Sequence, residues 1–327
     1  MKRVALVLVC LALAAPAWAS KNRRVPRQPF TPLAPATVTI AGNPLTIVVG
    51  NDTSLQVTNS NVPGTGQFYP PDCTAGETAD SGSFAGIGGV VYGPDFNNHP
   101  CGSASNTYTP WTPVSMTPVT GTGTSGDPFT VVIVVNAGAT GVVLTETLTY
   151  VNGADGAVIS LSFAAPPPPG APVSPSAPAV AVDAFVGSDL YLADSDAGFS
   201  FASAAGAGGH GANSSCQQLQ YTIDWTGTTP ATGWTAQGYS SVWDEISAGA
   251  LNGTVDTSCI DNGAALEWAG LNVTGTPVVI GTGVNFTGQA VPVAAAVPTI
   301  SVAGIGALVV LLAAVGYVLA RKTSLGA

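Results

Sequence analysis

Between Gln28 and Ala320 the chain contains no lysine and no arginine. Its eight basic residues, Lys2, Arg3, Lys21, Arg23, Arg24, Arg27, Arg321 and Lys322, all stand at the two ends, while all 18 carboxylates lie in the stretch between, opposed only by His99 and His210. Nucleic acid is thereby excluded as a partner, because phosphate neutralisation needs the missing side chains. Phosphate sites and lysine-based covalent catalysis go with it. The acids of this stretch have no Arg or Lys to pair with, so they must face water, accept backbone hydrogen bonds or bind cations.

Further absences narrow the chemistry. There is no C-x-x-C pair of the kind that holds zinc and no G-x-S-x-G nucleophile elbow. Asp244 and Glu245 are sequence neighbours, which on a helix point apart and do not make a glycosidase pair. Gly121-x-Gly123-x-x-Gly126 has the letters of a dinucleotide fingerprint, but Asp127-Pro128 and a β run follow where a helix is required, so it reads as a hairpin turn. A Ser or Cys nucleophile would have to recruit His99 or His210, and the glycines around His210, from Gly206 to Gly211, suggest a segment too flexible to orient a base. The expectation is a protein without catalysis, with no catalytic or cofactor-binding residues.

What is present begins at the ends. Lys2-Arg3, an apolar run from Val4 to Ala15 and the small residues Ala17 and Ala19 predict a signal peptide over 1–19, cut before Ser20 and followed by a basic, Pro-containing arm over 20–36. At the other end, after a spacer over 291–297, the 21 residues from Ile300 to Ala320 carry no charge. As a helix they would span about 31 Å, a bilayer's hydrocarbon thickness. Arg321-Lys322 would then stay on the cytoplasmic side, leaving the body outside.

Val297-Pro298-Thr299-Ile300, the apolar run and the basic pair together resemble the IPTL-CTERM sorting signals of Gram-negative bacteria, over 298–327 with Val in the motif's first place. The resemblance implies an inner-membrane intermediate, cleavage near the motif by an exosortase-like protease, and delivery to the cell surface or beyond. Phrases in the body, among them Tyr239-Ser-Ser-Val-Trp243 and Cys259-Ile-Asp-Asn-Gly263, look like those of uncharacterised exported β-rich bacterial proteins. That second resemblance implies no activity and no functional residues.

The exported chain keeps four cysteines, Cys73, Cys101, Cys216 and Cys259, an even number for an oxidising compartment. Three pairings are possible. The sequence-local one, Cys73 with Cys101 and Cys216 with Cys259, is favoured.

The body, residues 37–290, reads as all-β. Leu144, Leu148 and Tyr150 alternate with threonines, Asn152-Gly153 supplies a turn, and Ile159, Leu161 and Phe163 alternate with serines. Further strands are predicted at Leu45 to Val49, Leu55 to Thr58, Gly89 to Tyr92, Phe129 to Val135, Val180 to Val186, Tyr221 to Trp225, Val278 to Ile280 and Val284 to Phe286. Strands in series without helices between them indicate a large antiparallel β-sandwich with long loops. One short helix is expected where Ser241 and Asp244 resemble a capping box. The Pro-rich segment 166–178 is read as a surface loop inside one sandwich, the alternative being a linker between two domains.

Three groups are candidates for a site. Asp189, Asp194 and Asp196 resemble the opening of a calcium loop, with a solvated acidic turn as the bland alternative. Trp225, Trp234, Trp243 and Trp268, with Tyr221 and Tyr239, would stack on sugars if exposed and fill a core if buried. Glu146 falls on the apolar face of its strand, so either a bulge turns it outward or it lines a ligand pocket. The functional expectation is an exported, non-catalytic surface or matrix protein; the second reading is a carbohydrate-binding or mutarotase-like sandwich with surface polysaccharide as its partner.

Overall fold

The structure, a computed structural model, describes residues 36–62, 77–99, 108–165, 179–191 and 195–287. The signal peptide with Ala17 and Ala19, the arm up to residue 35, Cys73, Cys101, the segment 166–178, Asp194, the spacer and the sorting signal with Val297, Pro298, Thr299, Ile300, Arg321 and Lys322 all lie outside the described residues. Among the described residues no helix is long and apolar enough to cross a membrane.

Eighteen strands and one α-helix are present among those residues. In chain order the strands are β1 (Thr37–Ala41), β2 (Leu45–Gly50), β3 (Leu55–Asn59), β4 (Ser81–Ile87), β5 (Val90–Gly93), β6 (Thr109–Pro110), β7 (Thr112–Met116), β8 (Phe129–Asn136) and β9 (Val143–Tyr150). They continue as β10 (Gly156–Ala164), β11 (Val180–Asp189), β12 (Gly198–Ser203), β13 (Gly206–Ala212), β14 (Gln218–Gly227) and β15 (Gly233–Gly238). After the helix α1 (Tyr239–Ala248) come β16 (Cys259–Ile260), β17 (Asn262–Val273) and β18 (Val278–Thr287).

They form a three-stranded sheet, β1-β2-β3, a nine-stranded sheet, β16-β12-β13-β14-β18-β10-β9-β8-β7, and a six-stranded sheet, β15-β17-β11-β4-β5-β6. Pairing is antiparallel except between β5 and β6. The strands flanking 166–178 stand in different sheets, β10 in the nine-stranded and β11 in the six-stranded one. The margins of the two large sheets are modest. β16 and β6 have two residues each, β7 carries Pro113 at a register shift, and β15 is met by the segment around Val255.

Alternation explains the sandwich. Along β9 and β10 every second side chain is buried, so both strands turn one apolar row to the six-stranded sheet and one Thr/Ser row to water. Polar handles cross the core at set points: Trp225 Nε1 of β14 donates to Ser188 Oγ of β11 at 2.9 Å. Ser83 Oγ of β4 donates to Glu146 Oε2 of β9 at 2.6 Å. Each large buried side chain contributes about 1.5–3 kcal/mol, and Trp225, Trp243, Tyr150, Phe163 and Phe286 are all fully enclosed.

A second, smaller core lies on the far side of the six-stranded sheet, where α1 lays Val242, Trp243 and Ile246 against Phe84, Phe185 and Ala265. These helix positions, spaced one turn apart, make a single apolar stripe. The helix begins two residues before Ser241, after Gly238, with no side-chain cap, so the expected capping box is not used. It stops at Gly249, whose φ of 77° a residue with a Cβ would adopt at a cost.

Several other expectations are corrected. Val278 to Phe286 is one strand, since Gly281 pairs with Ser160 and Gly283 pairs on both sides rather than looping out. The glycine-rich segment around His210 is the interior strand β13, not a flexible loop. Its glycines are required by close approach: a Cβ on Gly208 would stand 2.1 Å from the Ile223 carbonyl oxygen, and one on Gly209 would stand 2.3 Å from Asn262 Nδ2. Cys216 and Cys259 are bonded, with Cα atoms 5.8 Å apart, tying the β13–β14 turn to β16.

Candidate functional site

Antiparallel order brings four sequence-distant points to one end of the six-stranded sheet: the start of β4, the end of β11, the start of β17 and the end of β15 where α1 begins. Asp80, Asp189, Asp261 and Tyr239 stand at these points. The Asp189 N–H donates to the Asp80 carbonyl at 3.1 Å, Asp189 lies opposite Gly263, and the Tyr239 N–H donates to the Asp261 carbonyl at 3.2 Å. Phe84, Phe185 and Ala265 face α1, so counting back in twos along each strand puts Asp80, Asp189 and Asp261 on the same face.

The acids are graded in depth. Asp80 and Asp189 are buried, Asp261 and Tyr239 are half-buried, and Asp196, from the turn before β12, is exposed. Burial and then the neighbouring Asp196 charge push the Asp261 carboxyl up to about 7. Its Oδ1 has no hydrogen-bond partner among the described residues. The Tyr239 phenol is raised by burial and by Asp261, Asp189, Asp196 and Asp80 in turn, which places all four carboxylates within electrostatic reach of one ring. Tyr108 is likewise pushed upward, by burial and then by Asp80 and Asp244. A half-buried acid that holds its proton near neutrality, beside an exposed carboxylate, can both donate and accept a proton or hydrogen bonds from a polyol.

Of the three acids expected to bind calcium, Asp189 and Asp196 both stand at this pole, and Asp194 lies outside the described residues. The sequence reading missed Asp80 and Asp261. No short-range spacing marks them, because strand register alone brings them together; the Asp261-Asn262-Gly263 phrase before a strand is the only local signal. Among the described residues no group of three or more metal-ligating side chains is poised around one point.

Other acids are placed differently. Asp52, in the β2–β3 turn, lies 2.8 Å from His99 Nε2 through its Oδ2 and accepts from Ser54 Oγ at 2.5 Å, while Ser54 Oγ also lies 2.9 Å from Thr78 Oγ1. The Asp95 N–H reaches Asp52 Oδ2 at 3.1 Å. Burial would raise this carboxyl, but the His99 bond and charge and the two Ser54 bonds hold it below the ordinary range. His99 is therefore oriented by Asp52, with both side chains buried.

Glu146 is neither rotated outward nor in a pocket. Its strand runs without a bulge, Ile133 and Leu161 opposite it on either side, and the carboxyl points into the core at 1% exposure. Burial, against the Ser83 bond and with the Asp52 charge, pushes it up to about 7.

The aromatic section is core. Trp225, Trp243 and Trp268 are buried, and Trp234, Tyr221 and Tyr239 are half-buried, so they present no shared exposed face for sugar stacking.

No family model and no curated protein matches the chain. Among solved structures it is similar to a putative aldose 1-epimerase from Escherichia coli K12, at 9% identity and a TM-score of 0.37 over 77% of this chain and 99% of that one. It is also similar to heparan sulfate lyase HepC from Pedobacter heparinus, at 8% identity and a TM-score of 0.37 over 75% of this chain and 34% of that one. Both carry the names of enzymes, and the expectation of a protein without catalysis is withdrawn. At this degree of likeness neither protein's activity carries over to this chain.

Proposed function

We propose that the body is a carbohydrate-handling β-sandwich whose acidic pole receives the hydroxyl groups of a sugar, with Asp261 and Asp196 as the proton-donating and proton-accepting carboxyls. The observation that supports this reading is their placement: two carboxyls and the Tyr239 ring at the solvent margin, backed by buried Asp189 and Asp80. Opening an aldose ring requires a proton on the ring oxygen and removal of one from the anomeric hydroxyl. One protonated and one ionised carboxyl supply that pair at neutral pH. The body's lack of Lys and Arg suits a neutral sugar rather than an anionic one.

Polarimetry of freshly dissolved α-D-glucose and α-D-galactose tests the reading. Faster mutarotation with the full chain than with buffer, lost in Asp261→Asn, is the expected result. A rate equal to buffer, together with no heat of binding for either sugar, would refute it.

A second reading keeps the calcium proposal for Asp189, Asp194 and Asp196, because two of these acids act on the same Tyr239 ring. Millimolar Ca²⁺ should then raise the melting temperature, and Asp196→Asn should remove the rise; an unmoved melting temperature ends it. Delivery is proposed to run through the predicted signal peptide, an inner-membrane intermediate and processing at Val297-Pro298, ending at the cell surface. The Cys216–Cys259 bond supports an oxidising compartment.

A further inference from the structure

The outer face of the nine-stranded sheet carries a second polar and aromatic cluster. On β12, Ser200 points inward to accept from Asn262 Nδ2 at 3.2 Å, so Phe199 and Phe201 turn outward, and both are half-buried members of neither apolar core. On β14, Ile223 and Trp225 are buried and Thr222 and Asp224 face out; on β18, Val284 and Phe286 are buried and Asn285 faces out. Register then lines these residues up in two adjacent rows across four strands, Phe199, His210, Thr222 and Thr287 in one, Phe201, Gly208, Asp224 and Asn285 in the other.

The side chains interlock within and between the rows. The Phe201 and His210 rings lie 4.9 Å apart at 35°, making one broad apolar surface, and His210 Nδ1 is fixed 2.8 Å from Thr222 Oγ1. Beside that surface Asn285 Nδ2 donates to Asp224 Oδ2 at 3.1 Å. Gly208 leaves the strand between ring and carboxylate without a side chain. Burial raises Asp224 and lowers His210, so both polar groups are already partly desolvated.

We infer that these two rows form a binding platform for one pyranose ring of a neutral polysaccharide, the Phe201–His210 surface taking the sugar's C–H face and Asp224 with Asn285 taking adjacent hydroxyls. The ligand class follows from the chemistry. A pyranose is apolar on its face and hydroxylated at its rim, which matches a ring pair next to a carboxylate and amide. A body with no Lys or Arg offers nothing to a uronate or sulfated chain. The platform uses the outer face of the nine-stranded sheet, whereas Asp80, Asp189 and Asp261 stand on the α1 face of the six-stranded one; the Asp196 turn leads into β12, so the two clusters are neighbours told apart by their own residues.

Affinity electrophoresis of the full chain through gels containing β-glucan, galactomannan or polygalacturonate tests it. Retardation by at least one neutral polymer and none by polygalacturonate is expected. Phe201→Ala and Asp224→Asn should each weaken that retardation about tenfold; if Phe201→Ala does not fold by circular dichroism, Asp224→Asn decides. Phe201→Ala that loses retardation while retaining any mutarotation separates the platform from the acidic pole. No retardation in any neutral gel, or retardation unchanged in Asp224→Asn, overturns the assignment.

Discussion

Asp52 and Glu146 are both buried carboxylic acids within one sandwich, yet their surroundings drive them to opposite charge states. Asp52 gathers a histidine, a hydroxyl and two backbone N–H groups, and stays ionised. Glu146 has a single hydroxyl among apolar side chains, with the Asp52 charge beyond it, and retains its proton towards neutrality. In a body with no Lys or Arg, a buried acid is thus kept either by hydrogen bonds that stabilise its charge or by giving that charge up. Asp261 follows Glu146 in this respect, but half-buried rather than fully enclosed.

Removing the better-compensated acid should cost most. Asp52→Ala takes from the enclosed His99 its 2.8 Å carboxylate contact and from Ser54 its bond in the turn, and the expected loss is about 3–5 kcal/mol, read as a lower urea midpoint at pH 7. Because the folded-state value of Asp52 is depressed, its contribution is complete above the ordinary carboxylate range and is lost as pH falls through the folded value. The gap between variant and parent should therefore close in acid. A midpoint unchanged at pH 7 would mean that the network does not hold the turn.

The opposite sign is expected at Glu146. Its value rises from 4.5 unfolded to about 7 folded, so the folded chain holds a proton that the unfolded chain has released, and stability falls as pH climbs through that window. Glu146→Gln removes the titration. The variant should gain on the parent by on the order of 3 kcal/mol between pH 4 and pH 8, measured as the difference between two series of urea midpoints. Parallel series would show that Glu146 ionises freely and that the contrast with Asp52 is not one of charge state.

How much of this was legible in the sequence depends on the range of the interaction. Strands with strict alternation, such as β9 and β10, were legible because burial acts on every second residue. β13 and β17 were not: glycines and alanines give no apolar period, and pairing on both sides overrides the low strand propensity of a stretch such as Gly206–Ala212. The Cys216–Cys259 bond could be inferred from parity and proximity in sequence. The clustering of Asp80 with Asp261, and of Phe201 with Asp224 and Asn285, depends on register between distant strands and leaves no mark in the local sequence. The tryptophans illustrate the same limit, since residue type announces bulk but not which side of a sheet receives it.

The margins of the two large sheets have a consequence for crowding. Open backbone along a sheet's flank is a template on which a second chain can add a strand, and repeated addition builds fibrils. Here the terminal strands are two residues long, interrupted by Pro113, or met by a neighbouring segment of the same chain. Along these margins many copies can be packed side by side with little backbone open to strand addition, which leaves association there to side chains.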